Sequence, residues 1–376
     1  MFRKALGKRK KYLGFDTKQR KQLEQGQSIG RVASIHIHPF KSCRPVARES
    51  VRLTKNGLEF DRVVMAVNAK NVPVSQRMRP ELARIDVDCS VEDNTVTLSP
   101  PSSTGLEPLR LCLTHVETDK ESAEDIDMHG AVGKCVSFGR EASIWINSCL
   151  TKLSGRHTEG YRLMCMLKGS LRKPHHTFAR ALLPNSHHED GLLLGDLAPF
   201  SLVSQASLAT LKREMPDAER RDAVDINCFR ANVVIETSPE LAFVEDHAAT
   251  LQIGDYSMRV VGPTFRCVET TVDQKTGEAG FRKGLRKAEP LATLKQLRPG
   301  GLRFGISGFF PTGAGGSKGF APLFGIYLGA DDPSVSGTIR VGDEVTLKCL
   351  KKDPSIISKL VNCALLAFGL DSSYLL

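Results

Sequence analysis

The chain has few aromatic residues, 6% of 376, and no stretch near the ~18 consecutive apolar residues that a membrane-spanning helix needs. No pair of its ten cysteines has C-x-x-C spacing, which excludes structural zinc of the paired-cysteine type. A basic N-terminus lacking an apolar run after its charges is not a secretory signal, so reduced thiols in a cytosolic compartment are expected. No internal repeat runs through the sequence. What remains is an ordinary globular composition, with 41% hydrophobic and 25% charged residues. At roughly 100–200 residues per domain, this length predicts two domains.

The net charge of +10 is unevenly placed. Residues 1–21 hold nine Lys or Arg against the single acid Asp16, so the other 355 residues carry only about +2. The basic segment 1–28 reads as a tail that is either solvated or in contact with anionic lipid or nucleic acid, or that carries a targeting signal. It is Lys-rich with no Ser before Ser28, a poor match to a mitochondrial presequence.

Short strands dominate from Gly30 onward. Arg31–His38, Arg62–Val67 and Thr95–Leu98 are β-branched or alternating runs separated by Gly, Asn and Pro. Residues 141–152 carry apolar side chains at helical spacing. Residues 168–196 are polar and rich in His, Pro and Gly, which predicts a mobile linker between a first block, 29–167, and a second, 197–350. In the second block, Ser204–Arg213 reads as a helix with Ser204 as N-cap, and Glu289–Leu297 as a short helix starting near Pro290. Strands are expected at Asn232–Glu236, Leu251–Ile253, Ser257–Val261, Val268–Val272, Leu323–Leu328 and Thr338–Leu347. The fold class is therefore α+β and β-rich, with a barrel-like sheet in each block. In the tail 351–376, Ile356, Ile357, Leu360, Val361, Ala364, Leu365 and Phe368 share a helical face, suited to docking on the body or to a membrane interface.

Several motifs carry little chemistry. Gly313–Lys318 lacks the Gly-Lys pair of a P-loop. His175–His176 and His187–His188 read as exposed loop histidines, and His36 and His38 form a pair without further ligands. Three strand ends are richer. Lys41 and Ser42, in Pro39–Cys43, place a cation and a hydroxyl together, a sensible phosphate contact. Arg230 and Asn232, two apart, are expected on one side of a strand. Cys267 directly follows Arg266, which predicts a depressed thiol pKa and a thiolate available to a metal, although an ordinary buried cysteine is the alternative.

Taken together and in order, these segments resemble the MOSC family, and within it the mitochondrial amidoxime-reducing components. In the first block the resemblance rests on Ile37–Cys43, Gly57–Arg62 and Ser75-Gln-Arg-x-x-Pro-Glu-Leu82. In the second it rests on Pro199-Phe, Phe229–Asn232, Ile253–Asp255, Arg266-Cys-x-x-Thr-Thr-Val-Asp273 and Pro322-Leu-Phe-Gly-x-Tyr327. It implies an N-terminal MOSC-type β-barrel domain followed by a MOSC domain with a β-barrel core. It also implies a molybdenum–molybdopterin cofactor with Cys267 as the single protein ligand of the metal. The other cofactor contacts implied are Lys41, Ser42, Arg62, Ala198, Arg230, Asn232, Phe265, Arg266 and Tyr327. A reductase of this kind removes oxygen from N-hydroxylated compounds and takes electrons from cytochrome b5 and its NADH-dependent reductase. The implied location is the mitochondrial outer membrane, facing the cytosol, with the cytoplasm as the alternative.

The sequence departs from the pattern in places. Phe265 stands where the amidoxime reducers have a small hydroxyl residue, Leu197-Ala198 stands where a Thr-Ser pair is usual, and 300–320 holds eight Gly. A second function is a non-catalytic carrier of molybdenum cofactor or its sulfurated form, as in the MOSC region of cofactor sulfurases; this length is expected to leave no room for their pyridoxal-phosphate domain. Nucleic-acid binding has only the N-terminal charge in its favour, against a nearly neutral body without an aromatic stacking pattern.

Overall fold

A computed structural model describes residue 23 and residues 26–54, 56–128, 130–173, 191–283, 288–298, 321–332 and 336–350. The basic tail, the paired histidines 175–176 and 187–188, the Gly-rich stretch and the C-terminal apolar segment lie outside the described residues. In chain order the elements of the first block are β1 (Gln27–Ile37), β2 (Val46–Arg48), β3 (Ser50–Thr54), β4 (Gly57–Leu58), β5 (Val64–Val67), β6 (Asp86–Ser90), β7 (Thr95–Ser99), β8 (Leu109–Cys112), α1 (Leu113–Val116), β9 (Glu124–Met128), β10 (Ala131–Ser137), α2 (Gly139–Ser154) and β11 (Arg162–Met166). The second block contains β12 (Phe200–Ser204), α3 (Gln205–Glu214), α4 (Ala218–Ala223), β13 (Val233–Glu236), β14 (Ala248–Ile253), β15 (Tyr256–Phe265), α5 (Leu291–Leu297), β16 (Leu323–Ala330), β17 (Gly337–Arg340) and β18 (Glu344–Leu350).

Seven strands close into a barrel in the order β13-β12-β16-β15-β14-β18-β1, with β1 pairing back onto β13. The closing stave, β1, comes from the first block. It buries Ile29, Val32, Ile35 and Ile37 inside the barrel, with Val51, Leu53, Leu202, Val233, Ile235, Leu251, Val260, Ile326 and Leu347. Bulges between Ser28 and Gly30 and between Val32 and Ser34 let this strand serve both neighbours. The rest of the first block forms the sheets β5-β11-β10-β9 and β6-β7-β8, while β3 pairs with β4 on one side and with β17 of the second block on the other.

Helix α2 runs over the expected 141–152 and beyond it, burying Ala142, Ile146, Cys149, Leu150 and Leu153 at helical spacing. It ends at Gly155, whose φ of 68° is the left-handed cap that glycine adopts without strain. Ser204 caps α3 as expected, its side chain accepting from Ser207 N. Three expectations need correction. Val268–Thr271 is a 3₁₀ turn and not a strand. The run 338–347 is broken into β17 and β18 by a turn at Gly342. The stretch 168–196 is packed at both ends: Arg172 is fully buried, as are Leu192 and Leu194, and the backbones of Arg172 and Leu192 bridge.

Candidate functional site

The first wall follows β1. The chain turns at Phe40–Ser42, with Ser42 at φ 75°, and Lys41 N donates to Val64 O at 2.8 Å. The Lys41 ammonium is thereby aimed at Leu194 O, 3.1 Å away, and at the Asp196 carboxylate. Arg62 also has positive φ, 53°. It binds the Asp61 carboxylate, donates to Asn232 Oδ1 at 3.2 Å and reaches Arg230 O at 3.4 Å.

The second wall comes from the 229–232 segment. Arg230 and Asn232 do not share a strand, because Arg230 caps the 3₁₀ turn Ile226–Phe229 at φ 50° and β13 starts only at Val233. Both nonetheless reach the same cavity. Arg230 donates to Cys43 O at 2.8 Å. Asn232 Oδ1 accepts from Ser201 N at 3.1 Å, while its Nδ2 donates to His36 O at 3.1 Å. Its amide therefore ties β1 to β12 as well as facing the cavity. Burial and the neighbouring Arg62 both lower the Arg230 pKa, as expected of cations in need of an anion.

The third wall is the end of β15 and the turn after it. The Arg266 guanidinium is committed to Phe324 O (2.9 and 2.7 Å) and Phe229 O (2.6 Å), and burial pulls its pKa down to about 10. It thus holds β15, β16 and the 229 turn together and makes no hydrogen bond to the thiol. Arg77 does: its Nη1 lies 3.5 Å from Cys267 Sγ. The expected depression of the Cys267 pKa is not found. Burial and the Glu269 charge push it up, while Arg77 acts in the opposite direction. The cause is desolvation, which adjacency to Arg266 in sequence does not offset. Burial also raises the pKa of Tyr327.

All ten sequence-assigned residues, Lys41, Ser42, Arg62, Ala198, Arg230, Asn232, Phe265, Arg266, Cys267 and Tyr327, line one cavity of about 110 Å³. Sequence reasoning gave no role to Asp196, Arg77, Thr264 or Glu269, which line it too. Arg77 was within reach, since it belongs to the Ser75-Gln-Arg motif. The wall carries five cations, Lys41, Arg62, Arg77, Arg230 and Arg266, against the carboxylates of Asp196 and Glu269. Thr264 Oγ1 and Glu269 Oε1 are buried with no hydrogen-bond partner. Excess positive charge and the Cys267 thiol suit an anionic ligand that carries a thiophilic metal. Among the described residues no three His, Cys, Asp or Glu side chains cluster as a metal site, and His36 instead bonds Ser34 Oγ at 2.9 Å. No helix among them is long and apolar enough to cross a membrane.

The MOSC N-terminal beta barrel domain matches residues 29–153 and the MOSC domain matches 189–346. Mitochondrial amidoxime-reducing component 1 of Mus musculus is 30% identical over 85% of this chain and 83% of its own length. The Homo sapiens protein of that name is also 30% identical, over 88% and 86%. A molybdenum cofactor sulfurase of Drosophila mojavensis is 28% identical over 73% of this chain, but that match spans 31% of the sulfurase. The chain that closes its barrel with β1 and gathers these ten residues, Cys267 among them, into one cavity belongs to the MOSC family.

Proposed function

We propose that this protein binds molybdenum cofactor and uses it to reduce N-hydroxylated compounds of the amidoxime type. The observation that carries this reading is the Cys267 thiol, set in the wall of a cavity with five cations and contacted by Arg77. Cys267 would be the metal's protein ligand. Lys41, Ser42, Arg62 and Arg230 would neutralise the cofactor's phosphate, and Asn232, Tyr327 and the backbone at Ala198, Phe265 and Arg266 would meet its heterocycle. The bound cofactor would supply two-electron chemistry at the metal. The protein holds the thiol, orients the substrate and excludes bulk water.

The net change is that an amidoxime takes up two electrons and two protons, its N–O bond breaks, and an amidine and water leave. The source of electrons proposed is cytochrome b5 with its NADH-dependent reductase. The names of the relatives support mitochondrial association, and the outer membrane is the site proposed. Peripheral membrane contact through the N- or C-terminal tail is part of the same proposal, and nucleic acid is not a proposed partner.

The second reading is a carrier of the cofactor, favoured by the likeness to a cofactor sulfurase. The test is to purify the protein from a host that makes molybdenum cofactor, measure metal per chain, and assay benzamidoxime with a chemical electron donor. Molybdenum near one per chain with turnover supports the reductase. Metal without turnover supports the carrier, and absence of metal overturns both.

A further inference from the structure

Beyond the residues assigned to the cofactor, the cavity has a second polar set at its metal-ligand end. Cys267 Sγ marks that end. Arg77 lies 3.5 Å from the sulfur, and the Glu269 carboxylate is the largest charge acting on Arg77. Glu269 Oε1 is buried without a hydrogen-bond partner. Thr264 is in the same state: it is 3% exposed, its hydroxyl has no partner, and it lines the same cavity.

Thr264 lies where the strand pairing is irregular. The β15–β16 register slips between the pairs Pro263–Ile326 and Phe265–Leu323, with the extra residue on β16. At this irregular strand end Thr264 and Phe265 both line the cavity. The fold therefore brings a hydroxyl to the cavity beside Phe265 and leaves it without a partner.

Two buried acceptors without donors are costly unless a ligand satisfies them. A carboxylate oxygen can only accept while ionised, and a hydroxyl can do either, so the complementary ligand carries N–H groups. We propose that Glu269 and Thr264 are specificity-determining residues that bind the amino N–H groups of the substrate, selecting amidoximes and N-hydroxyguanidines over N-oxides that lack such donors. Arg77 balances the carboxylate from the sulfur side and leaves Oε1 to the substrate. This inference rests on the reductase reading and names the substrate class for it.

The test uses the cofactor-loaded full chain and the amidine product, whose binding needs no turnover. Calorimetry with benzamidine is run on the wild type, Glu269→Gln and Thr264→Val, with molybdenum per chain measured in each. Loss of a charge-assisted bond should weaken benzamidine about tenfold or more in Glu269→Gln, and Thr264→Val about threefold, with metal content unchanged. An unchanged dissociation constant in Glu269→Gln overturns the inference. A probe comparison guards against a variant that fails to load. N,N,N′,N′-tetramethylbenzamidinium, which carries no N–H donor, should bind the wild type at least about tenfold more weakly than benzamidine, and equal binding of the two overturns the inference. Wild-type protein that holds molybdenum but does not reduce benzamidoxime overturns the reductase reading instead, and the benzamidine comparison still decides the role of Glu269.

Discussion

The surroundings of Cys267 join two distant parts of the chain in one electrostatic unit. Arg77 belongs to the first block and is 190 residues away in sequence, yet it touches the sulfur. Replacing the thiol tests the reading most directly. Cys267→Ala should abolish benzamidoxime reduction and lower molybdenum per chain, with the thermal midpoint close to wild type because the side chain lines the cavity and not a hydrophobic core. Full turnover in this variant would remove Cys267 from the site. A second residue sets a pH dependence. His38 is fully buried, and burial together with Arg230 and Arg62 holds its pKa well below the usual histidine value. The folded state keeps this ring neutral while the unfolded chain protonates it near pH 6.5, so its contribution to stability is present above that pH and is lost as pH falls. His38→Phe should therefore flatten the decline in urea midpoint between pH 7 and 5, and a parallel decline in wild type and variant would exclude His38 as its source. The ten cavity residues were legible because short motifs carry them. The thiol's pKa was not, because desolvation depends on what covers the sulfur, and that is set by segments far away in sequence.

At the scale of elements, the segments that carry the site are those whose local hydrogen bonds override their composition. Val268–Val272 has the β-branched content of a strand, but the Thr270 and Thr271 hydroxyls donate to Cys267 O and Val268 O and wind it into a 3₁₀ turn. Arg230 leaves extended geometry for the same kind of reason, capping a turn that Asp225 starts by accepting from Asn227 N at 2.8 Å. Regular elements were the easier part: α2 and α3 announce themselves by apolar spacing and by the Ser204 cap. The stretch 192–198, which brings Asp196 and Ala198 to the cavity, is held by two cations, Lys41 at Leu194 O and Asp196, and Arg172 at three carbonyls. Arg172 donates to Leu193 O at 2.7 Å, to Met128 O at 3.0 Å and to Gly195 O. Arg172→Met would leave three buried carbonyls without this donor, at about 1–3 kcal/mol each. The expected outcome is an unfolding free energy lower by at least about 3 kcal/mol, read from denaturant melts, together with reduced molybdenum per chain. A variant destabilised to that extent but with full metal occupancy would show that the loop does not contribute to cofactor binding.

At the scale of the whole molecule, the two sequence blocks share a barrel. β1 lies between β13 and β18, so the chain's first described strand pairs with two strands more than 190 residues later. Neither pairing was legible, since alternation marks a strand but does not name its partners. The closure also matters for function, because Lys41 and Ser42 follow directly from β1 and take their positions from it. Gly30 is where the closure is tightest. A Cβ at this position would lie 1.9 Å from Glu236 O on β13, a backbone atom that cannot rotate away. Gly30→Ala should therefore push β1 off β13 and cost about 3 kcal/mol, read as a shift in denaturant midpoint. Opening the seam should also speed amide exchange in β13 and β18 more than in β6–β8, which belong to a separate sheet. Molybdenum per chain should fall with it, since the cations after β1 would lose their register with Arg230 and Cys267. An unfolding free energy within about 0.5 kcal/mol of wild type would mean that the barrel tolerates an open seam there. Normal metal occupancy with fast exchange in β13 would mean that the cavity is assembled without it.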